Sequence, residues 1–234
     1  MTAKIKVWDL PLRIFHWTLV SAVIAAFTTG ELGGLLTDWH GRIGTLVLGL
    51  LIFRLIWGFI GSHYARFSSF FPTSSRISDY FKGVWEGHGH NPLGALSVLA
   101  LLGALAGVVA TGLFANDDIA FEGPLFALID KDLSDRLTGW HELFFYILAG
   151  LVALHVAAIG FYLKVKKNNL VIPMVTGEKE VPRNEAQLVK PAGLFKFIVA
   201  ATVSGFVVWA VSSGAVVHHI QPLQAVASPS NQNW

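Results

Sequence analysis

Two histidines, His141 and His155, sit inside the run GWHELFFYILAGLVALHV at residues 139–156, which is otherwise apolar enough to cross a membrane. An imidazole taken out of water is costly unless its nitrogens find partners. Neutral imidazole is a good ligand for iron, and two imidazoles facing each other at one depth meet that need by holding a haem between helices. Fourteen residues of helix make nearly four turns, so the two rings share one face and stand about 21 Å apart along the axis. One helix can then serve two centres at different depths. His16 and His40 lie at the starts of two further apolar stretches.

The elements that must position these rings follow from composition. The chain has 234 residues, of which 53% are hydrophobic and 14% charged, and its mean hydropathy is +0.57. That is more apolar surface than one soluble core can hide. Five stretches, 11–30, 40–60, 93–115, 141–163 and 194–217, reach the roughly 20 residues needed to cross about 30 Å of hydrocarbon. Hydrocarbon offers the backbone no partners outside its own segment, and the alternation of a barrel strand is absent. The predicted fold class is therefore all-α, an integral membrane helical bundle of five transmembrane helices. A single membrane domain is expected over residues 1–234: a four-helix core at about 9–167, a polar loop at 164–193, a fifth helix at 194–217 and a flexible tail at 218–234.

The absence of cysteine excludes disulfides, iron–sulfur clusters, thiolate catalysis and covalent haem attachment. The net charge of +2 carries no nucleic-acid signal, because the basic residues lie in loops between spans. The first span, with a long apolar run that includes Arg13, His16 and Trp17, reads as a retained helix rather than a signal peptide.

Charge bias orients the bundle. Lys4, Lys6 and Arg13 precede or enter span one, Arg66, Arg76 and Lys82 follow span two, and Lys164, Lys166, Lys167, Lys179, Arg183 and Lys190 follow span four. The other side carries Arg42, Lys131 and Arg136 among eight acidic residues. By the positive-inside rule the N-terminus is cytoplasmic and the C-terminus periplasmic. Depths then match in pairs: His40 with His141 near the outer surface, and His16 with His155 toward the cytoplasm. The expectation is two b-type haems, each with two histidine ligands. A bis-histidine iron has no vacant position, which suits electron transfer rather than oxygen binding.

Arg54 follows His40 by fourteen residues and so shares its helical face at the cytoplasmic level. It either neutralises a haem propionate or snorkels to the interface. Arg42, beside His40, either serves the outer haem's propionates or meets lipid headgroups. Residues Ile77, Tyr80, Phe81, Val84 and Trp85 recur at helical spacing, which predicts a short amphipathic helix on the membrane surface. His88 and His90 in EGHGHNP lack a third metal ligand and read as a solvated loop; His218 and His219 read as an interfacial pair, and His63 receives no role. HELFF at 141–145 has Phe145 where a zinc protease needs its second histidine. Gly41, Gly44, Gly49 and Gly58 permit close approach of either a helix or a porphyrin face.

Three segments carry a family resemblance: VWDLPLRIFHWTL at 7–19, WHGRIGTLVLGLLIFRLIWGFIGSHYARFSSF at 39–70 and LVIPMVTGEK at 170–179. Over about residues 7–180 the chain resembles the bacterial di-haem b-type cytochromes grouped with the cytochrome b subunit of nickel-iron hydrogenase. The resemblance implies inner-membrane electron transfer between a quinone pool and a redox partner protein such as a periplasmic c-type cytochrome, a hydrogenase or a similar oxidoreductase. It implies haem ligands on the first, second and fourth helices, which on this chain are His16, His40, His141 and His155. The competing readings are a self-sufficient quinone oxidoreductase and a proton-coupled transporter or channel using intramembrane histidines as a relay.

Overall fold

The computed structural model describes residues 2–185 and 191–220. Along the chain run β1 (Thr2–Lys6), α1 (Leu10–Leu32), α2 (Thr37–Ile60), α3 (Phe67–Phe70), α4 (Ser74–Phe81), α5 (Pro92–Gly112), α6 (Lys131–Lys164), α7 (Val171–Thr176), β2 (Glu178–Pro182) and α8 (Leu194–Ser212). Among the described residues, α1, α2, α5, α6 and α8 are long and apolar enough to cross a membrane. The tail expected at 218–234 lies outside the described residues from 221 onward, as do residues 186–190 of the expected loop.

Helix α2 is the central element. It packs against α1, α5 and α8, while α6 packs chiefly on α5. All five spans meet in one apolar core formed by Ala22, Val47, Leu48, Leu51, Ala104, Leu105, Val109, Leu148 and Val211. Helix α6 turns most of its surface outward, with Leu143, Tyr146, Leu154, Val156 and Phe161 exposed. Such a face suits hydrocarbon, where it needs no protein partner.

Three boundaries differ most from the sequence reading. Helix α6 begins at Lys131, ten residues before the expected start, because Asp130 caps it by accepting from Leu133 N at 2.8 Å and Asp132 faces the N-terminal dipole. Helix α8 ends at Ser212, and the chain turns at Gly214, whose φ is 72°, before becoming helical again over residues 215–220. The amphipathic helix α4 stops at Phe81, leaving Val84 and Trp85 beyond the turn at Gly83, where φ is 75°.

The segment 164–193, expected to be a loop, contains α7 and β2, and β2 pairs antiparallel with β1 in the register Ala3↔Val181 and Ile5↔Lys179. Period-two alternation buries Ile5 and Val181 on one face, with Val7 behind them. On the other face Lys4 and Lys6 stand opposite Glu180 and Glu178, a charge pairing that favours this register. The two strands close one end of the bundle, called here the strand-bearing face.

Asp9 ties this face to the membrane core. Its Oδ1 caps α1 by accepting from Leu12 N at 2.8 Å, and its Oδ2 accepts from Trp57 Nε1 at 3.0 Å. Trp57 is fully buried. Asp9→Ala removes the cap and strands the indole N–H, and is expected to lower unfolding free energy by about 2 kcal/mol. Thermal unfolding in detergent, followed by circular dichroism, reads this directly. Trp57→Phe, which keeps the cap, should cost less.

Candidate functional site

At the end of the bundle opposite the strands, His40 at the start of α2 and His141 on α6 bring their rings close together. Their ring centres are 6.0 Å apart and their planes stand at 85°. His40 Nδ1 lies 2.9 Å from Ala26 O on α1, and His141 Nδ1 lies 2.8 Å from Val108 O on α5. A carbonyl only accepts, so each Nδ1 carries the proton and each Nε2 is left with its lone pair for a metal. Two further helices thus orient the two rings.

His16 on α1 and His155 on α6 occupy the strand-bearing half. Both are half-buried, and His16 Nδ1 is enclosed without a hydrogen-bond partner. His90, just before α5, lies close to both. Burial first, then the charge of Arg54, holds the His90 imidazole down to about 3. His90 therefore stays neutral across the physiological range.

Arg54 lies on α2 at the same level, only 2% exposed. It donates from Nη1 to Ala65 O at 3.2 Å, and the Phe67 ring lies 4.7 Å from its Cζ. A guanidinium has five N–H donors, and among the described residues the bond to Ala65 O is the hydrogen bond seen for Arg54. The side chain is enclosed by protein rather than extended to the surface. Arg42 is exposed beside Trp39, its Cζ 5.2 Å from that ring.

A family model described as prokaryotic cytochrome b561 matches residues 7–177 of the chain. The chain belongs to the prokaryotic cytochrome b561 family. It is similar to proteins named probable Ni/Fe-hydrogenase B-type cytochrome subunit. One, from Azotobacter chroococcum mcd 1, is 24% identical, the match covering 74% of this chain and 87% of the relative. Others come from Azotobacter vinelandii, 25% identical over 74% and 87%, and Bradyrhizobium diazoefficiens, 21% identical over 75% and 86%. No solved structure matches. As a cytochrome b561 family member the protein is a membrane b-type cytochrome of electron transfer, multi-pass in the bacterial inner membrane.

A b-type haem is held through its iron and by burial, without thioether bonds, as a chain with no cysteine requires. The His40–His141 pair fits such a group. Two imidazole–metal bonds of about 2 Å, plus about 1 Å from each nitrogen to its ring centre, place the ring centres about 6 Å apart. The observed 6.0 Å agrees. The Nδ1 hydrogen bonds supply the outer support that metal-bound imidazoles need.

The glycines of α2 in this cytochrome divide by what they face. A Cβ on Gly41 would strike Phe121, one on Gly49 would strike Val208 of α8, and one on Gly58 would strike Phe67. Helix and loop packing accounts for those three. Gly44, one turn after His40 and on its face, meets nothing within 4 Å, which leaves room beside the His40 ring for a flat ligand.

His90 corrects the solvated-loop reading of EGHGHNP. Its ring lies between Trp8 and Phe70, with centroids 4.6 Å from each, and its Nδ1 is enclosed without a partner. Sequence reasoning missed it because Trp8, some eighty residues earlier, supplies one wall. A cavity of about 450 Å³ lies against His90 on the strand-bearing face and is lined also by His63, Tyr64, Phe70, Trp85 and His88.

Proposed function

We propose that this cytochrome carries electrons across the inner membrane between a quinone pool and a redox partner protein, using two b-type haems. His40 and His141 ligate the periplasmic one, and His16 and His155 the cytoplasmic one. The observation that carries the reading is the 6.0 Å separation of the His40 and His141 ring centres, with both Nδ1 atoms committed to backbone carbonyls. When bound, each haem supplies one-electron exchange at a six-coordinate iron. The chain's part is to fix the imidazoles, exclude water and place charge near the two centres.

The strand-bearing face is cytoplasmic in this reading, because Lys4, Lys6, Arg66, Arg76 and Lys82 gather there. The cavity beside His90 then admits a quinone headgroup from that side, with Phe70 and Trp85 against its ring and Tyr64 and His88 near its oxygens. The partner docks on the periplasmic side. The names of the relatives favour a hydrogenase-type oxidoreductase there, and a c-type cytochrome meets the same chemical need.

Purified protein tests this in one experiment. Haem quantitation with a redox titration should give two haems per chain with separable midpoints, and a short-chain quinol should reduce at least one of them. A colourless, folded protein would favour the proton-relay alternative. A haem protein that neither takes electrons from a quinol nor gives them to a quinone would remove the quinone from the scheme.

A further inference from the structure

The two histidines of the periplasmic centre are held by the same local device, used twice. His40 Nδ1 donates to Ala26 O, and the three residues that follow Phe27 on α1 are Thr28, Thr29 and Gly30. His141 Nδ1 donates to Val108 O, and the same helix, α5, continues through Val109 and Ala110 to Thr111 and Gly112. In both cases the accepting carbonyl has threonine three residues on and glycine four residues on. In both cases the threonine hydroxyl also reaches that carbonyl, at 3.1 Å from Thr29 and 3.1 Å from Thr111.

The glycine is the part that sterics demand. A helical carbonyl already accepts from the N–H four residues ahead, and the side chain of that residue flanks the route by which a second donor approaches. A Cβ on Gly30 would stand 3.0 Å from His40 Nδ1 and 3.1 Å from its Cε1. A Cβ on Gly112 would stand 2.7 Å from His141 Cε1 and 2.9 Å from its Nδ1. Each imidazole rests where any other residue would place a carbon. His16, by contrast, has its Nδ1 enclosed without a partner, so the device belongs to one centre.

We propose that Thr29-Gly30 and Thr111-Gly112 are matched seats for the ligand imidazoles, with Gly30 and Gly112 as positioning residues of the periplasmic haem. By withholding Cβ, each glycine opens a helical carbonyl, already shared by a backbone N–H and a threonine hydroxyl, to a further hydrogen bond from the imidazole. That bond sets the rotation of the ring, keeps the proton on Nδ1, and makes Nε2 a stronger electron donor to iron. The two seats hold the imidazole planes at 85°, and rings crossed in this way would give a bound ferric haem a strongly anisotropic electron paramagnetic resonance signal. This inference rests on the haem ligation proposed above.

The test uses full-length protein purified in detergent as wild type, Gly30→Ala, Gly112→Ala and Gly139→Ala, the last because a Cβ there meets nothing within 4 Å. The readouts are haem per chain, the ferric resonance signal and the two midpoint potentials. Gly112→Ala, with the closer contact, should lose one of the two haems or shift its signal. Gly30→Ala should retain both haems while shifting the signal of the same centre by less. Both should raise that centre's midpoint, since a weakened Nδ1 hydrogen bond disfavours the oxidised iron, and both should leave the other midpoint unmoved. Gly139→Ala should match wild type.

Should Gly112→Ala fail to accumulate, Gly30→Ala decides, because its contacts need the ring to yield only a few tenths of an ångström. Two haems with wild-type signals and midpoints in Gly30→Ala would overturn the proposal, as would equal shifts at both centres. A wild type without haem, or a His40→Ala protein that keeps both haems, would instead overturn the ligation on which it rests.

Discussion

Replacing His40 or His141 with alanine is expected to reduce haem from two per chain to one, with the surviving centre keeping its wild-type midpoint. Each proposed centre takes one imidazole from α6 and one from another helix, so losing either ligand opens one coordination position and leaves the other centre, about 21 Å away along α6, untouched. His16→Ala and His155→Ala should remove the other haem in the same manner, and His16→Ala combined with His40→Ala should give colourless protein. His63→Ala and His218→Ala should keep both haems. Pyridine haemochrome content per chain, read beside reduced-minus-oxidised spectra, separates these outcomes. Two haems persisting in His141→Ala would mean that the close approach of His40 and His141 is packing alone.

What the sequence revealed of this molecule was set by range. Crossing hydrocarbon forces each span to satisfy its own backbone and to show apolar residues all round, so five helices could be found one at a time, and their ends were misplaced where polar turns extend them, as at α6, or where a turn cuts an apolar run short, as at α8. Asp130 and Asp132 start α6 outside the apolar run, and hydropathy cannot register a cap. The four histidines stand out because each sits in or at the edge of an apolar segment, and the fourteen-residue spacing on α6 gave two depths. Features built from distant partners stayed hidden. The strand pair needed TAKIK and EKEVP, about 175 residues apart, to be read together, although their alternation and opposite charges were both visible. His90 became a half-buried residue with an enclosed Nδ1 only through Trp8 and Phe70. Gly30 and Gly112 acquire meaning only when it is known which histidine crosses which helix, since a Thr-Gly pair near a helix end otherwise resembles an ordinary stop signal.

Arg54→Leu is expected to lower the midpoint of one haem, that of His16 and His155, by on the order of 70 mV. Arg54 is 2% exposed, its guanidinium is held by Ala65 O and covered by Phe67, and its charge acts on His90, which lies close to His16 and His155. A cation so placed favours the added electron of a reduced haem. At an effective dielectric of about 20, a unit charge about 10 Å away changes that electron's energy by about 1.7 kcal/mol, which for a one-electron couple gives the 70 mV scale. Asp9 is a carboxylate whose charge reaches Arg54, and it is already engaged by Leu12 N and Trp57 Nε1. If Asp9 is the whole reason for the arginine, Arg54→Leu will lower thermal stability and leave both midpoints where they were. If Arg54 serves a haem propionate, the midpoint of that centre will fall or its haem will be lost, while the His40–His141 centre is unchanged. Arg54→Lys keeps the charge without the planar fork, so it should restore most of the midpoint shift and only part of the haem retention.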